Sequence, residues 1–359
     1  MLRKLDAYII RKFLGTFFAS IALIIIIVVV FDVSEKIGDF IDKKVPLSAI
    51  IFDYYLNFIP YFVNMFSALF IFISVIFFTS RMAANTEIVS ILSSGISFYR
   101  LMLPYIGCAL LIGVLNLYLA NYLIPTVNKH RLDFETKYIR RQYVNQNLNI
   151  HLRYDKNSYF YVESFDNTTN LGYRFTYENI NEEGLTEKLC SESIRYDSVK
   201  QEWILRDYFK RTLQEEGEAV EKGSTMQLKL PITPLDFARD RSNVEEMTYP
   251  ELKKFIETEK QRGSTLVNFY EYENSQRMTA PFAAVILTLI GFALSSRKRR
   301  GGIGLHLAVG ISLAFVFILF MQISKVFATF GNFPIWLAAW VPIIFFSFIA
   351  IYLIRTAPK

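Results

Sequence analysis

Two cysteines and three histidines in 359 residues leave little material for metal or thiol chemistry. Cys108 lies in an apolar run and Cys190 in a polar stretch, so they supply neither a disulfide framework nor a metal cluster. His130, His151 and His306 are scattered and read as interfacial or surface residues. No G-x-x-x-x-G-K-[ST] phosphate loop occurs, so this chain is not expected to hydrolyse ATP. H-E-x-x-H and G-x-S-x-G are also missing. The carboxylate pairs Glu182–Glu183 and Glu245–Glu246 sit in polar, turn-like surroundings and do not mark a catalytic site. No cofactor is expected. The net charge of +6 is not gathered into one basic face, which argues against nucleic acid as a partner.

What is present is a split. Three long apolar runs come first, a polar stretch follows, and three more apolar runs close the chain. A lipid-spanning helix needs about 20 predominantly apolar residues. The runs read as spans at Phe13–Val33, Ile51–Phe78, Tyr99–Leu123, Thr279–Ser295, Ile303–Phe327 and Ile335–Ile354. Pro60 and Asn64 fall inside the second, where freed backbone groups need protein partners. The first run is too long for a signal peptide's apolar core and is followed by more spans, so it is expected to stay as an anchor.

Lysine and arginine near the span ends orient the chain. One side collects Arg3, Lys4, Arg11, Lys12, Arg81, Arg100, Arg297, Lys298, Arg299, Arg300, Arg355 and Lys359. The other side's short loops hold Lys36, Lys43, Lys44 and Lys325. This excess predicts cytoplasmic termini and an external polar stretch.

From about Asn147 to Leu230 the polar stretch alternates in period two. Ser158–Phe165, Tyr173–Ile180, Glu202–Arg211 and Thr225–Leu230 read as strands, and Asn167-Thr168-Thr169-Asn170 as a turn. Several short strands at this spacing predict an antiparallel sandwich or jellyroll. Pro250–Arg262 reads as a helix with Leu252, Phe255 and Ile256 on one face. Segment 81–95, between the second and third spans, is too polar to cross lipid and too apolar for a free loop. Ile88, Ile91, Leu92 and Gly95 follow helical spacing, Gly95 suits a helix end, and Glu87 complements the helix dipole. Such a helix either lies among headgroups or docks into a partner's groove.

Four segments together give a resemblance covering nearly the whole chain. They are Leu5–Phe13, the stretch 81–95 with Thr86-Glu87-Ile88 and Gly95, Met247–Leu252, and Arg277 with Pro281. The chain resembles the lipopolysaccharide export permeases (the YjgP/YjgQ family), membrane subunits of an ABC exporter in Gram-negative inner membranes. Its tail, Gly304–Ile323, is more similar to the LptG half of that family than to the LptF half.

The resemblance implies an α-helical membrane protein with six transmembrane helices and an inserted all-β periplasmic jellyroll. The expected layout is 1–124 for the first three spans with a coupling helix at 82–95, 125–246 for the jellyroll, 247–268 for a connecting helix, and 269–359 for the last three spans. It further implies a transport subunit without chemistry of its own, which extracts lipopolysaccharide from the outer leaflet of the inner membrane and passes it to a periplasmic bridge. The implied partners are a cytoplasmic ABC ATPase dimer (LptB-like), a paralogous six-span permease, a single-span jellyroll protein (LptC-like) and a bridge protein (LptA-like). Arg81, Glu87, Ile88, Ile91, Leu92 and Gly95 would serve ATPase coupling. Lys36, Lys43 and Lys44 would face the anionic lipid headgroup; a second basic position of the family is Val30 here. Two other readings stand beside this one. A mechanotransmission or lipoprotein-release permease would carry four spans rather than six. A membrane receptor with an external sensory domain would need a cytoplasmic output domain.

Overall fold

The apolar runs fold as helices, and those of the first four spans extend well past their apolar runs. A computed structural model describes residues 2–139, 148–166, 169–181, 184–214, 217–237, 241–264, 266–297, 302–331 and 333–357. Lys298, Arg299, Arg300, Lys359, the Glu182–Glu183 pair, and Asn167 and Thr168 of the expected turn lie outside the described residues, as does the side chain of Arg3. The chain divides into two units: 1–139, 245–249 and 268–359 form one, and 140–244 and 250–267 the other.

In the helical unit, α1 (Leu2–Asp42) leads by a loop to a π-type segment, Ala49–Tyr55, which continues into α2 (Leu56–Ala84). The short α3 (Glu87–Ser93) precedes α4 (Phe98–Tyr118), which passes through a second π-type segment, Leu119–Leu123, into α5 (Ile124–Tyr138). The second π-type segment stands just before Pro125, whose ring displaces the Asn121 carbonyl four residues back and widens the turn there. Among the described residues, six helices are long and apolar enough to cross a membrane.

Burial differs sharply among these helices. The apolar window of the helix beginning at Val267 is 61% buried, whereas that of α1 is 17% buried. α1 therefore leaves Leu23, Ile26, Val30 and Phe31 exposed, as a lipid-facing helix must. Small residues set the close helix contacts, where apolar surroundings give packing rather than water exclusion as the driving force. A Cβ at Gly310 would stand 2.1 Å from Ile76 Cδ1, and one at Gly113 would stand 2.9 Å from Pro281 Cα.

Among its described residues the second unit holds six strands: β1 (Leu148–Arg153), β2 (Ser158–Asp166), β3 (Leu171–Asn181), β4 (Gly184–Asp197), β5 (Glu202–Gln214) and β6 (Gly217–Leu228). They form one antiparallel sheet in sequential order. The inserted β domain is thus an open meander, where a jellyroll would place Greek-key crossovers between two sheets. Short connections between successive strands suit this order, and each strand pairs antiparallel with the next.

The sheet nevertheless makes a core, because it curls. Strands β2 and β5 are separated by two others, which in a flat sheet means about 14 Å. The rings of Phe165 on β2 and Trp203 on β5 are 6.2 Å apart. Phe237, from α6 (Pro234–Phe237), packs on both, and Trp203 Nε1 donates to the Ile232 carbonyl at 2.8 Å.

A crease crosses every strand. The ladders skip one continuous row: Asn149, Glu163, Arg174, Glu192, Asp207 and Ser224. Asn149, Arg174 and Asp207, on alternate strands, have positive φ. The inward side changes parity across the row, from Val162 to Phe165, Phe175 to Gly172, Leu189 to Ile194, and Leu205 to Tyr208. A left-handed residue other than glycine costs about 1–2 kcal/mol. Asp207 is exposed, so Asp207→Gly is expected to stabilise the β domain by about 0.5–1 kcal/mol, read as slower hydrogen exchange in β5.

A 3₁₀ turn (Arg241–Glu246) leads to α7 (Tyr249–Gln261), which buries Leu252 and Ile256. The chain then returns to helices: α8 (Val267–Ser295), α9 (Gly302–Phe330) and α10 (Ile335–Thr356).

Candidate functional site

The segment between α2 and α4 is built from two helix ends and one turn. Residues 82–84 finish α2, and the chain breaks at Thr86, whose φ is 60°. The expected helix over 82–95 is therefore confined to Glu87–Ser93, closed by Gly95 at φ 89°. Ile88 is buried in one apolar cluster with Ile9, Phe13, Met82 and Phe98, and Ile91 and Leu92 pack against that cluster. Those three apolar side chains hold α3 onto its own bundle. The face left open carries Val89, Ser90 and Ser93, with Arg81 exposed at the end of α2.

Glu87 links this turn to α1. Its Oε2 accepts from Tyr8 Oη at 2.9 Å, and its Oε1 accepts from Asn85 Nδ2 at 3.3 Å. A second tie lies close in sequence: Arg100, on α4, pairs with Asp6 at 2.5 Å. Movement of α3 is thus mechanically connected to the first turns of α1 and α4.

Lys36, Lys43 and Lys44 belong to the other end of α1, but they do not share an environment. Lys43 and Lys44 are exposed. Lys44, at φ 50°, is the left-handed residue of a Schellman cap: Val45 N–H donates to the Phe40 carbonyl at 2.9 Å and Lys44 N–H to Ile41 at 3.1 Å. Lys36 is instead turned inward. Its ammonium pairs with Asp32 at 2.6 Å, one helical turn back, and contacts the Tyr54 hydroxyl. Tyr55 Oη donates to Asp32 Oδ2 at 3.0 Å. The π-type segment before α2 supplies both tyrosines. Sequence reading missed Asp32, Tyr54 and Tyr55; the signal was an ionisable pair spaced i, i+4 at the end of an apolar span.

A further paired cation sits on α5. Arg131 pairs with Glu135 at 2.6 Å, bonds Asn128 Oδ1 at 2.7 Å, and lies 4.7 Å from the centre of the Tyr61 ring. Tyr61 in turn donates to Glu245 at 3.1 Å. The Lys36 and Glu87 clusters stand at opposite ends of α2, whose 29 residues rise about 43 Å. That exceeds the roughly 30 Å hydrocarbon core of a bilayer.

A six-helix bundle with one polar cluster at each end of α2 and a β insertion is what the sequence comparison meets. Residues 7–356 match the family described as lipopolysaccharide export system permease LptF/LptG. The chain belongs to this permease family. No curated protein matches it by sequence. The permease is accordingly a transporter subunit of a lipopolysaccharide export system, and its six apolar helices make it a multi-pass inner-membrane protein. Its β domain lies in the chain between the third and fourth candidate spans.

Proposed function

We propose that this permease extracts lipopolysaccharide from the outer leaflet of the inner membrane and hands it to a periplasmic bridge, with ATP hydrolysed by a separate subunit. The observation that carries this reading is the family match over 7–356, joined to a helical unit with a polar cluster at each end of α2. In it, the termini and α3 face the cytoplasm, and the β domain is periplasmic. The basic residues Arg11, Lys12, Arg81 and Arg100 on the α3 side agree with that orientation.

The open face of α3 (Val89, Ser90 and Ser93), with the half-buried Glu87 at its start, is the surface we assign to a groove in an LptB-like ATPase dimer. Ile88, Ile91 and Leu92 act from behind, keeping that face rigid on the bundle. Arg81 and Gly95 bound it on either side. A paralogous six-span permease covers the exposed apolar sides of the bundle, and this chain takes the LptG position. The open edges of the sheet, β1 and β6, suit strand addition to LptC-like and LptA-like jellyrolls.

Lys36, Lys43 and Lys44 receive the anionic headgroup. Extraction exposes acyl chains at about 25 cal/mol per Å², so an ATP-driven step and an apolar receiving surface are both required. Lys36→Glu is expected to lower photocrosslinking of lipopolysaccharide at this end of α1 by about tenfold, a loss typical of a charged hydrogen bond. Equal crosslinking yield in the variant, at equal expression, would remove Lys36 from the site. The assembly itself is tested by purifying the chain in mild detergent. A small soluble ATPase and a second six-span homologue should follow it; their absence would refute the proposed complex.

A further inference from the structure

Lys36 is not an open cation. Its charge is already met by Asp32 at 2.6 Å, and the two side chains are only 17% and 12% exposed. The ammonium also lies 4.6 Å from the centre of the Tyr54 ring and 6.0 Å from that of Phe58. An anionic headgroup reaching this position therefore meets a cation that already has a carboxylate. Removing one member of a buried pair is costly when the other is left bare.

Asp32 would not be left bare. Its Oδ2 accepts from Tyr55 Oη at 3.0 Å, and its Oδ1 accepts from Tyr54 Oη at 3.2 Å. Two phenol donors remain on the carboxylate after the ammonium leaves. Lysine suits such an exchange, because it is a point charge on a flexible stem with no fixed fork of donors. Asp32 is short and held at both oxygens.

We infer that Asp32 is an internal substitute for the lipid's phosphate. In the empty site Lys36 pairs with Asp32. When lipid arrives, Lys36 swings to a phosphate monoester of the headgroup, and Asp32 passes to Tyr54 and Tyr55. The exchange sets specificity as well as affinity. A phosphate monoester carries about −1.5 to −2 charges at neutral pH, more than the single charge of a carboxylate. It outcompetes Asp32 for the ammonium. A phosphodiester lipid, with one charge, does not. Asp32 thus rejects ordinary phospholipids from a site that a free lysine would open to all of them.

This inference rests on the assignment of Lys36 to the lipid site, and the test separates the two. The full chain is placed in phosphatidylcholine nanodiscs. Binding is measured for bisphosphorylated lipid A, for dephosphorylated lipid A, for phosphatidylglycerol and for inorganic phosphate. Asp32→Asn should bind lipid A about tenfold tighter and phosphatidylglycerol by at least as large a factor, so that discrimination falls. Binding of the dephosphorylated lipid should not change. Adding Lys36→Gln should abolish the gain. Tyr54→Phe with Tyr55→Phe should act oppositely, weakening lipid A several-fold by holding Lys36 on Asp32. Asp32→Ser serves if Asp32→Asn does not insert.

If Lys36→Gln weakens lipid A while neither Asp32 variant strengthens it, the exchange is overturned and the Lys36 assignment stands. If Lys36→Gln also has no effect, the assignment itself falls. Saturable binding of inorganic phosphate alone would make this a free-anion site and overturn the lipid specificity.

Discussion

Glu87→Ala is expected to cut lipopolysaccharide transport by roughly ten- to a hundredfold while leaving the permease inserted at its normal level. A hydrogen bond to a charged group contributes about 1.5–3 kcal/mol, which is this range of fold-change. Glu87 has two roles in this account. It faces the proposed ATPase groove, and it accepts from Tyr8 on α1. Tyr8→Phe breaks only the second and should give a smaller loss, with ATPase binding intact. The check is transport and ATP turnover measured together in the reconstituted complex. Glu87→Ala should leave hydrolysis running without transport. Transport at the parental rate would refute the coupling role. Ile88→Ala should behave differently: Ile88 is buried in the bundle, so its loss should destabilise the helical unit before it affects partner binding.

The second large effect is on the β domain. Trp203→Ala should destabilise it by about 3–5 kcal/mol, the usual cost of truncating a buried tryptophan. Trp203 is fully buried and contacts Phe165, Tyr196 and Phe237. It joins β5 to β2 across the curl of the sheet, so its removal opens the curl as well as leaving a cavity. Trp203→Phe keeps most of the packing and loses the bond to the Ile232 carbonyl, so a cost of about 1–2 kcal/mol is expected. Limited proteolysis of the permease should cut the Trp203→Ala protein within 148–237 while sparing the helices. Unchanged protection would show that the core does not depend on this ring.

The six spans were legible because apolar runs of this length admit few alternatives. The bounds of the last two fall within three residues of α9 and α10, but those of the earlier helices do not. α8 begins at Val267, yet its first turns carry Glu271, Glu273 and Arg277, which hydropathy assigns to a loop. Tertiary pairing, such as Glu273 with Lys325 and Arg277 with the Met247 carbonyl, makes those turns stable. In the sheet, β2, β3 and β5 announced themselves by aromatic and β-branched residues near turn signals, and the end of β6 by alternation. β4 did not, because Tyr196 is its one aromatic residue and Glu187, Lys188, Glu192, Arg195 and Asp197 break up its apolar positions. The crease reverses the pleat in each of β2 to β5, so none of them keeps a single alternation throughout. The same crease lets one sheet fold over its own core, so sequence reading expected two.

The candidate sites were half legible. Helical spacing found Ile88, Ile91 and Leu92, but periodicity does not say which side of an amphipathic helix meets its own protein. Burial answers that: these residues face the bundle. Charge found Lys36, but not that Asp32, Tyr54 and Tyr55 already engage it. Those partners are supplied by a π-type turn 18 or more residues away, beyond any local pattern.

The central claim is that this chain moves lipopolysaccharide out of the inner membrane. Depleting it from its own host and following newly made lipopolysaccharide tests that most directly. The lipid should accumulate in the inner membrane and stop reaching the cell surface. Normal delivery to the surface at complete depletion would contradict the account.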